Sequence, residues 1–138
     1  MQRFLTAQEP IYSTALAELV AGRKESHWMW FIFPQIVGLG FSAMAQRYAI
    51  ASLDEAREYL AHPILGKRLE ECTKAVLKHP DRSANDIFGW PDDLKFRSSM
   101  TLFHRAAPDN PLFKKALETF YGGAEDPNTV ERLRGRSS

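Results

Sequence analysis

Apolar residues recur at helical spacing along most of the chain. Between residues 11 and 21, Tyr12, Ala15, Leu16, Leu19 and Val20 fall on one face, which predicts an amphipathic helix. The same reading predicts helices over residues 2–8, 42–48, 53–61, 63–78, 91–107, 111–121 and 127–133. Start and stop chemistry agrees with these spans. Pro63, Pro91, Pro111 and Pro127 suit a first helical turn, where a missing N–H costs nothing, and Asn110 and Asp126 precede two of them as N-caps. Ser52 and Glu55 read as a capping box, and Gly22 and Gly122 stand where helices end. No segment alternates convincingly between apolar and polar, and no internal repeat appears. The predicted fold class is all-α, a compact single helical domain over residues 1–133 with a frayed tail at 134–138.

The densest apolar segment follows a polar one. Gly22-Arg23-Lys24-Glu25-Ser26-His27 leads into Trp28-Met29-Trp30-Phe31-Ile32-Phe33, which stops at Pro34-Gln35. Residues 26–33 read as a buried helix, with a strand the alternative that aromatic propensity allows. No charged side chain occurs from Trp28 to Gln46, a length close to the roughly 20 residues of a membrane span. Pro34, Gln35, Gly38 and Gly40 interrupt that stretch and make a poor lipid-exposed helix, so the segment is expected to be buried in protein and no membrane partner is predicted. Rings that cannot stay in water either form the core or wall a pocket.

Charge and cysteine content narrow the function classes. The net charge of +1, from 18 basic and 17 acidic residues, argues against nucleic-acid binding through a strong overall field. Lys67, Arg68, Lys74 and Lys78 alternate with Glu70 and Glu71 as on a solvated helix face. Cys72 is the only cysteine, which excludes an internal disulfide and a cysteine-rich zinc site. With no apolar signal segment at the start, a reducing cytoplasm is the expected setting.

Candidate chemistry gathers in two places. Lys24 and His27 flank the aromatic block and would share a helix face; beside Trp28 and Trp30 they suit a planar or phosphorylated ligand, by stacking and cationic contact. His27 is the leading proton-transfer candidate. The plainer alternative is a solvated helix start. The second place is residues 91–104. Wound at roughly 100° per residue from Leu94, Lys95 and Ser99 land inside the apolar sector of Phe96, Met100, Leu102 and Phe103, whereas Asp93, Arg97, Thr101 and His104 lie toward the other side. A core-facing lysine needs a partner. Either Lys95 snorkels or pairs with a carboxylate, or Lys95, Ser98 and Ser99 present donors to an anionic or hydroxyl-rich ligand. Asp93 is the catalytic carboxylate to expect if a glycosidic bond is cut; otherwise Asp92 and Asp93 favour a helix N-terminus. His27, His62, His79 and His104 form no ligand pair, Gly38-Leu39-Gly40-Phe41-Ser42 reads as a turn, and Cys72 as a packed thiol, so no metal and no cofactor is expected.

Three segments together resemble a bacterial family of unknown function whose members are often labelled calpastatin. They are the run from Gly22 to Gln35, His62-Pro63-Ile64-Leu65-Gly66-Lys67-Arg68-Leu69, and Asp93-Leu94-Lys95-Phe96-Arg97-Ser98-Ser99-Met100-Thr101-Leu102-Phe103. Phe4 and Ala7-Gln8 match its opening segment. The resemblance implies a mainly α-helical single domain and no established activity; a calpastatin-type inhibitor would be a long disordered repeat protein, unlike this aromatic-rich chain. A more distant similarity, at the level of a helical scaffold with aromatic and lysine-bearing segments, is to small domains acting on N-glycosidic bonds of ADP-ribose-like metabolites.

Two readings follow. In one, Lys24, Trp28, Trp30, Lys95, Ser98 and Ser99 bound a pocket for a small polar or phosphorylated, nucleotide-like molecule, with His27 and Asp93 as catalytic candidates. In the other, the chain is a non-catalytic helical interaction or oligomerisation module with a closed interior.

Overall fold

The computed structural model describes residues 1–134, whose regular elements are all helices. Ten helices follow one another: α1 (Gln2–Gln8), α2 (Tyr12–Ala21), α3 (Met29–Ile32), α4 (Ala43–Arg47), α5 (Leu53–Ala61), α6 (Leu65–Leu77), α7 (Ala84–Phe88), α8 (Asp92–Ala106), α9 (Pro111–Tyr121) and α10 (Pro127–Arg134). Residue 134 thus closes the last helix, and the rest of the expected tail, from 135 on, lies outside the described residues. Among the described residues the sole β feature is one parallel bridge between Ile36 and Ile50, and no helix is long and apolar enough to cross a membrane.

Local chemistry accounts for most boundaries. The Asn110 side chain accepts from the Leu112 amide at 3.1 Å, with Pro111 in the first turn of α9. Gly22 and Gly122 end α2 and α9 in the left-handed conformation. Ser52 Oγ accepts from the Glu55 amide, but Glu55 Oε1 accepts from the Ala51 amide, one residue outside the expected box. α6 and α8 begin one to two residues beyond their prolines. At α6 the reason is visible: His62 Nδ1 accepts the amides of Ile64 and Leu65, both at 3.2 Å, and holds the chain in a turn before the helix starts.

Two elements depart from the sequence reading. The aromatic helix expected over residues 26–33 is only the single turn α3, because hydrogen bonds to Glu18 draw the preceding residues 25–28 into a loop. α7 has five residues, too few to display a period, and is announced only by its capping box of Ser83 and Asp86.

The core is aromatic. Phe33 meets Phe88 and Phe96 edge-on, at 5.9 and 4.9 Å between centroids, and lies 6.2 Å from Trp28. Phe4, Tyr59, Phe103 and Phe113 continue the chain of rings at 5.1, 5.5 and 5.8 Å. α8 runs through the middle and packs against α5, α7, α9 and α10. Surrounded on these sides, it buries Thr101, which the wheel drawn from Leu94 turns outward, and leaves Leu94 itself 50% exposed.

Candidate functional site

The site starts from Glu18, in the last turns of α2 and buried. Its Oε1 accepts the amides of Glu25 (2.8 Å) and Ser26 (2.9 Å) and the Trp28 indole N–H (3.0 Å); its Oε2 accepts the Ser26 hydroxyl at 2.6 Å. Burial alone would raise the carboxyl pKa. The donors, Ser26 foremost, outweigh it and hold the value at about 2. The Lys24 amide also donates to the Ile87 carbonyl at 2.7 Å. The loop so fixed turns Lys24 inward.

Lys24 is the more enclosed of two lysines joined by one carboxylate. Its Nζ lies 2.8 Å from Asp92 Oδ2, donates to the Ser26 carbonyl at 2.6 Å, and sits 5.1 Å from the Trp28 ring centroid. Its side chain is 8% exposed. Lys95, one turn along α8 from Asp92, reaches Asp92 Oδ1 at the longer distance of 3.3 Å and lies 5.1 Å from the Trp30 centroid, with 26% of its side chain exposed. Two cations share one anion, and the tighter contact goes to the buried one. The unbalanced positive charge therefore rests on Lys95, the side facing solvent.

Beside Lys95 opens a cleft of about 400 Å³ between α3, the loop before α4, the start of α8 and the start of α10. Trp30, Gln35, Phe41, Ser98, Asp126 and Asn128 line it with Lys95. Two exposed apolar side chains belong to its wall, Phe41 (83% exposed) and Leu94 (50% exposed). The loop carrying Phe41 is braced by α10. Gly38 holds φ +96°, and any side chain there would strike the Arg132 guanidinium.

Of the residues singled out in the sequence, Lys24, Trp28, Trp30 and Lys95 meet around Asp92, and Ser98 joins Trp30 and Lys95 in the cleft wall. Trp28 meets Lys24 from within the core, wholly buried and with its indole bonded to Glu18, and is not part of the cleft wall. The others lie elsewhere. Ser99 is also wholly buried, and its Oγ has no hydrogen-bond partner among the described residues. His27 is exposed on the loop and is not part of the cleft wall, since the helical turn that would have set it beside Lys24 does not form. Asp93 turns toward α7: its carboxylate accepts from its neighbour's amide (Leu94, 2.9 Å) and from Asn85 (3.4 Å).

Sequence reasoning missed Asp92 as the link between the lysines, and Asp126, Gln35, Phe41 and Asn128 as cleft groups. Asp92 and Asp126 read first as helix-terminus acids, which is a local property; Lys24, the closer partner of Asp92, and Ser98, a partner of Asp126, are remote in sequence. Phe41 did leave a signal, a bulky ring inside a glycine-rich turn. Among the described residues no group of three or more His, Cys, Asp or Glu is placed to hold a metal ion. Cys72 is buried in α6, and burial pushes its thiol up to about 12, far from a reactive thiolate.

The model of a protein family of unknown function, DUF1810, matches residues 1–133. The crystal structure of the conserved hypothetical protein Rv1873 from Mycobacterium tuberculosis is similar over 96% of this chain and 95% of that one, at 54% identity and a TM-score of 0.95. No curated protein matches the chain in sequence.

Proposed function

The chain belongs to the DUF1810 family of proteins of unknown function, and we propose that it binds a small anionic, nucleotide-like ligand in the cleft beside Lys95. One observation carries this reading: Lys95 stands over Trp30 at the cleft wall while its counter-ion Asp92 is held closer by Lys24. A half-neutralised ammonium at a partly enclosed, aromatic-walled surface suits a phosphate or carboxylate group. Exposed Phe41 supplies a face for a planar ring. Gln35, Ser98 and Asn128 add polar groups that would orient such a ligand.

The test is thermal unfolding of the purified chain with AMP, ADP-ribose or ribose phosphate. Wild type should rise in melting temperature, with about 2.7 kcal/mol of added stability at a hundredfold excess over Kd. Lys95→Met should fold and lose the rise. No shift in wild type with any of the three would sink the reading.

Cleavage of an N-glycosidic bond is the enzymatic extension of this reading. That chemistry needs a carboxylate beside the sugar, and Asp126 is the acid in the cleft wall, whereas Asp93 is engaged with Asn85. Release of free base from a bound nucleotide, absent in Asp126→Ala, is its measure.

A second reading is favoured by the rim. Phe41 and Leu94 are exposed in the cleft wall, Trp90 is exposed just before Pro91 of that wall in sequence, and large aromatic residues anchor protein contacts. Light scattering of wild type against Trp90→Ser separates the two: a dimer that dissociates in the variant, with no nucleotide shift, supports an interaction module.

A further inference from the structure

We infer that Asp126 selects ligands bearing adjacent hydroxyl groups of the kind a ribose presents, an inference that rests on the nucleotide-like reading of the cleft. The two carboxylate oxygens of Asp126 have unlike surroundings. Oδ2 accepts the Thr129 amide at 2.9 Å, the Thr129 hydroxyl at 2.6 Å and the Ser98 hydroxyl at 3.2 Å. Oδ1 accepts no hydrogen bond among the described residues, and no cation among them forms an ion pair with this acid, although it lines the cleft. The residue is also held firmly. Its amide donates to Thr101 Oγ1 at 2.9 Å, and Arg97 grips the preceding carbonyls of Ala124 and Glu125, both at 2.9 Å.

An anchored carboxylate with one oxygen committed to capping α10 keeps its charge and a set of lone pairs for something else. It is an acceptor only, so its complement is a donor, and charge-assisted bonds from hydroxyls are among the stronger neutral-to-ion contacts. It also repels phosphate. The anionic end of a ligand is thereby directed to Lys95, one helical turn before Ser98, and the donor-rich part to Asp126. The wall thus runs from cation through hydroxyl to carboxylate, which matches the order of phosphate and sugar in a nucleotide better than a bare aromatic acid or a polyphosphate alone.

Titration calorimetry on the full chain tests this with three probes: AMP, its dideoxy analogue lacking both ribose hydroxyls, and ribose phosphate. The expected result is that the dideoxy analogue binds about tenfold or more weakly than AMP, while ribose phosphate still binds. Asp126→Asn keeps an oxygen for Thr129 but removes the charge. It should weaken AMP by a similar factor and leave the dideoxy analogue no weaker than with wild type, since the lost charge also relieves repulsion of the phosphate. Equal affinity of wild type for AMP and the dideoxy analogue overturns this inference and leaves the binding reading standing. No binding of AMP or ribose phosphate overturns both. The analogue comparison uses wild type alone, so it decides the matter even where the variant does not fold.

Discussion

Glu18 uses both carboxylate oxygens on the loop that follows α2, and four donors converge on it. Its pKa falls from the ordinary 4.5 to about 2. Since the folded value lies below the unfolded one, the stabilisation is complete above about pH 4.5 and drains away as pH falls toward 2. A difference of that size is worth about 3 kcal/mol. Glu18→Gln should therefore be less stable than wild type by roughly that amount in urea unfolding at pH 7. The gap should narrow steadily between pH 5 and pH 2.5. A gap that stays constant over that range would mean that charge at residue 18 contributes nothing. The same substitution should loosen residues 23–28 and, with them, the hold of Lys24 on Asp92.

At the scale of elements, close approach between helices decides what a sequence pattern means. α5 and α6 meet at Gly66, where even a methyl group would collide with the Leu60 carbonyl oxygen. The obstacle is backbone at the end of α5, so it cannot rotate away. Gly66→Ala, favourable by helix propensity alone, should instead destabilise the fold by about 2 kcal/mol, read as a lower midpoint in urea; an unchanged or higher midpoint would show that the two helices have slack. The long helices were legible because each shows two or more turns of apolar period, and two of them add a side-chain cap, Ser52 for α5 and Asn110 for α9. α3 and α7 were not. In residues 26–33 the apolar run suited a helix, but Glu18 holds the amides of 25 and 26, the Ser26 hydroxyl and the Trp28 indole, and so fixes residues 25–28 in a loop that delays the helix to Met29. The candidate site was half legible for the same reason. A lysine on an apolar arc beside a tryptophan block signals a polar contact within a ring-lined wall, so Lys24, Trp30, Lys95 and Ser98 were within reach. The acids that organise them, Asp92 and Asp126, look from sequence like ordinary helix-terminus charges.

Taken as a whole molecule, the chain keeps stability and recognition on different rings. The cleft is assembled from residues as far apart as Trp30 and Asn128, all at one end of α8, while the interior aromatic chain runs behind it from Trp28 through Phe33 and Phe96. Trp28 is fully enclosed and bonds Glu18; Phe41 has lost almost none of its surface to packing. Trp28→Ala should cost about 3–5 kcal/mol through the cavity and the orphaned carboxylate acceptor. Phe41→Ser removes a ring that burial does not stabilise, so stability should change by less than about 0.5 kcal/mol. If Phe41 is there to face a ligand, the same change should still reduce nucleotide-induced stabilisation severalfold. Measuring unfolding free energy and ligand shift on both variants gives a crossed result: one variant loses stability, the other loses the shift. A Phe41 variant that is strongly destabilised, or that keeps the full shift, would place the ring in the fold's support or outside the site, and either outcome would remove the cleft's aromatic wall from the account of binding.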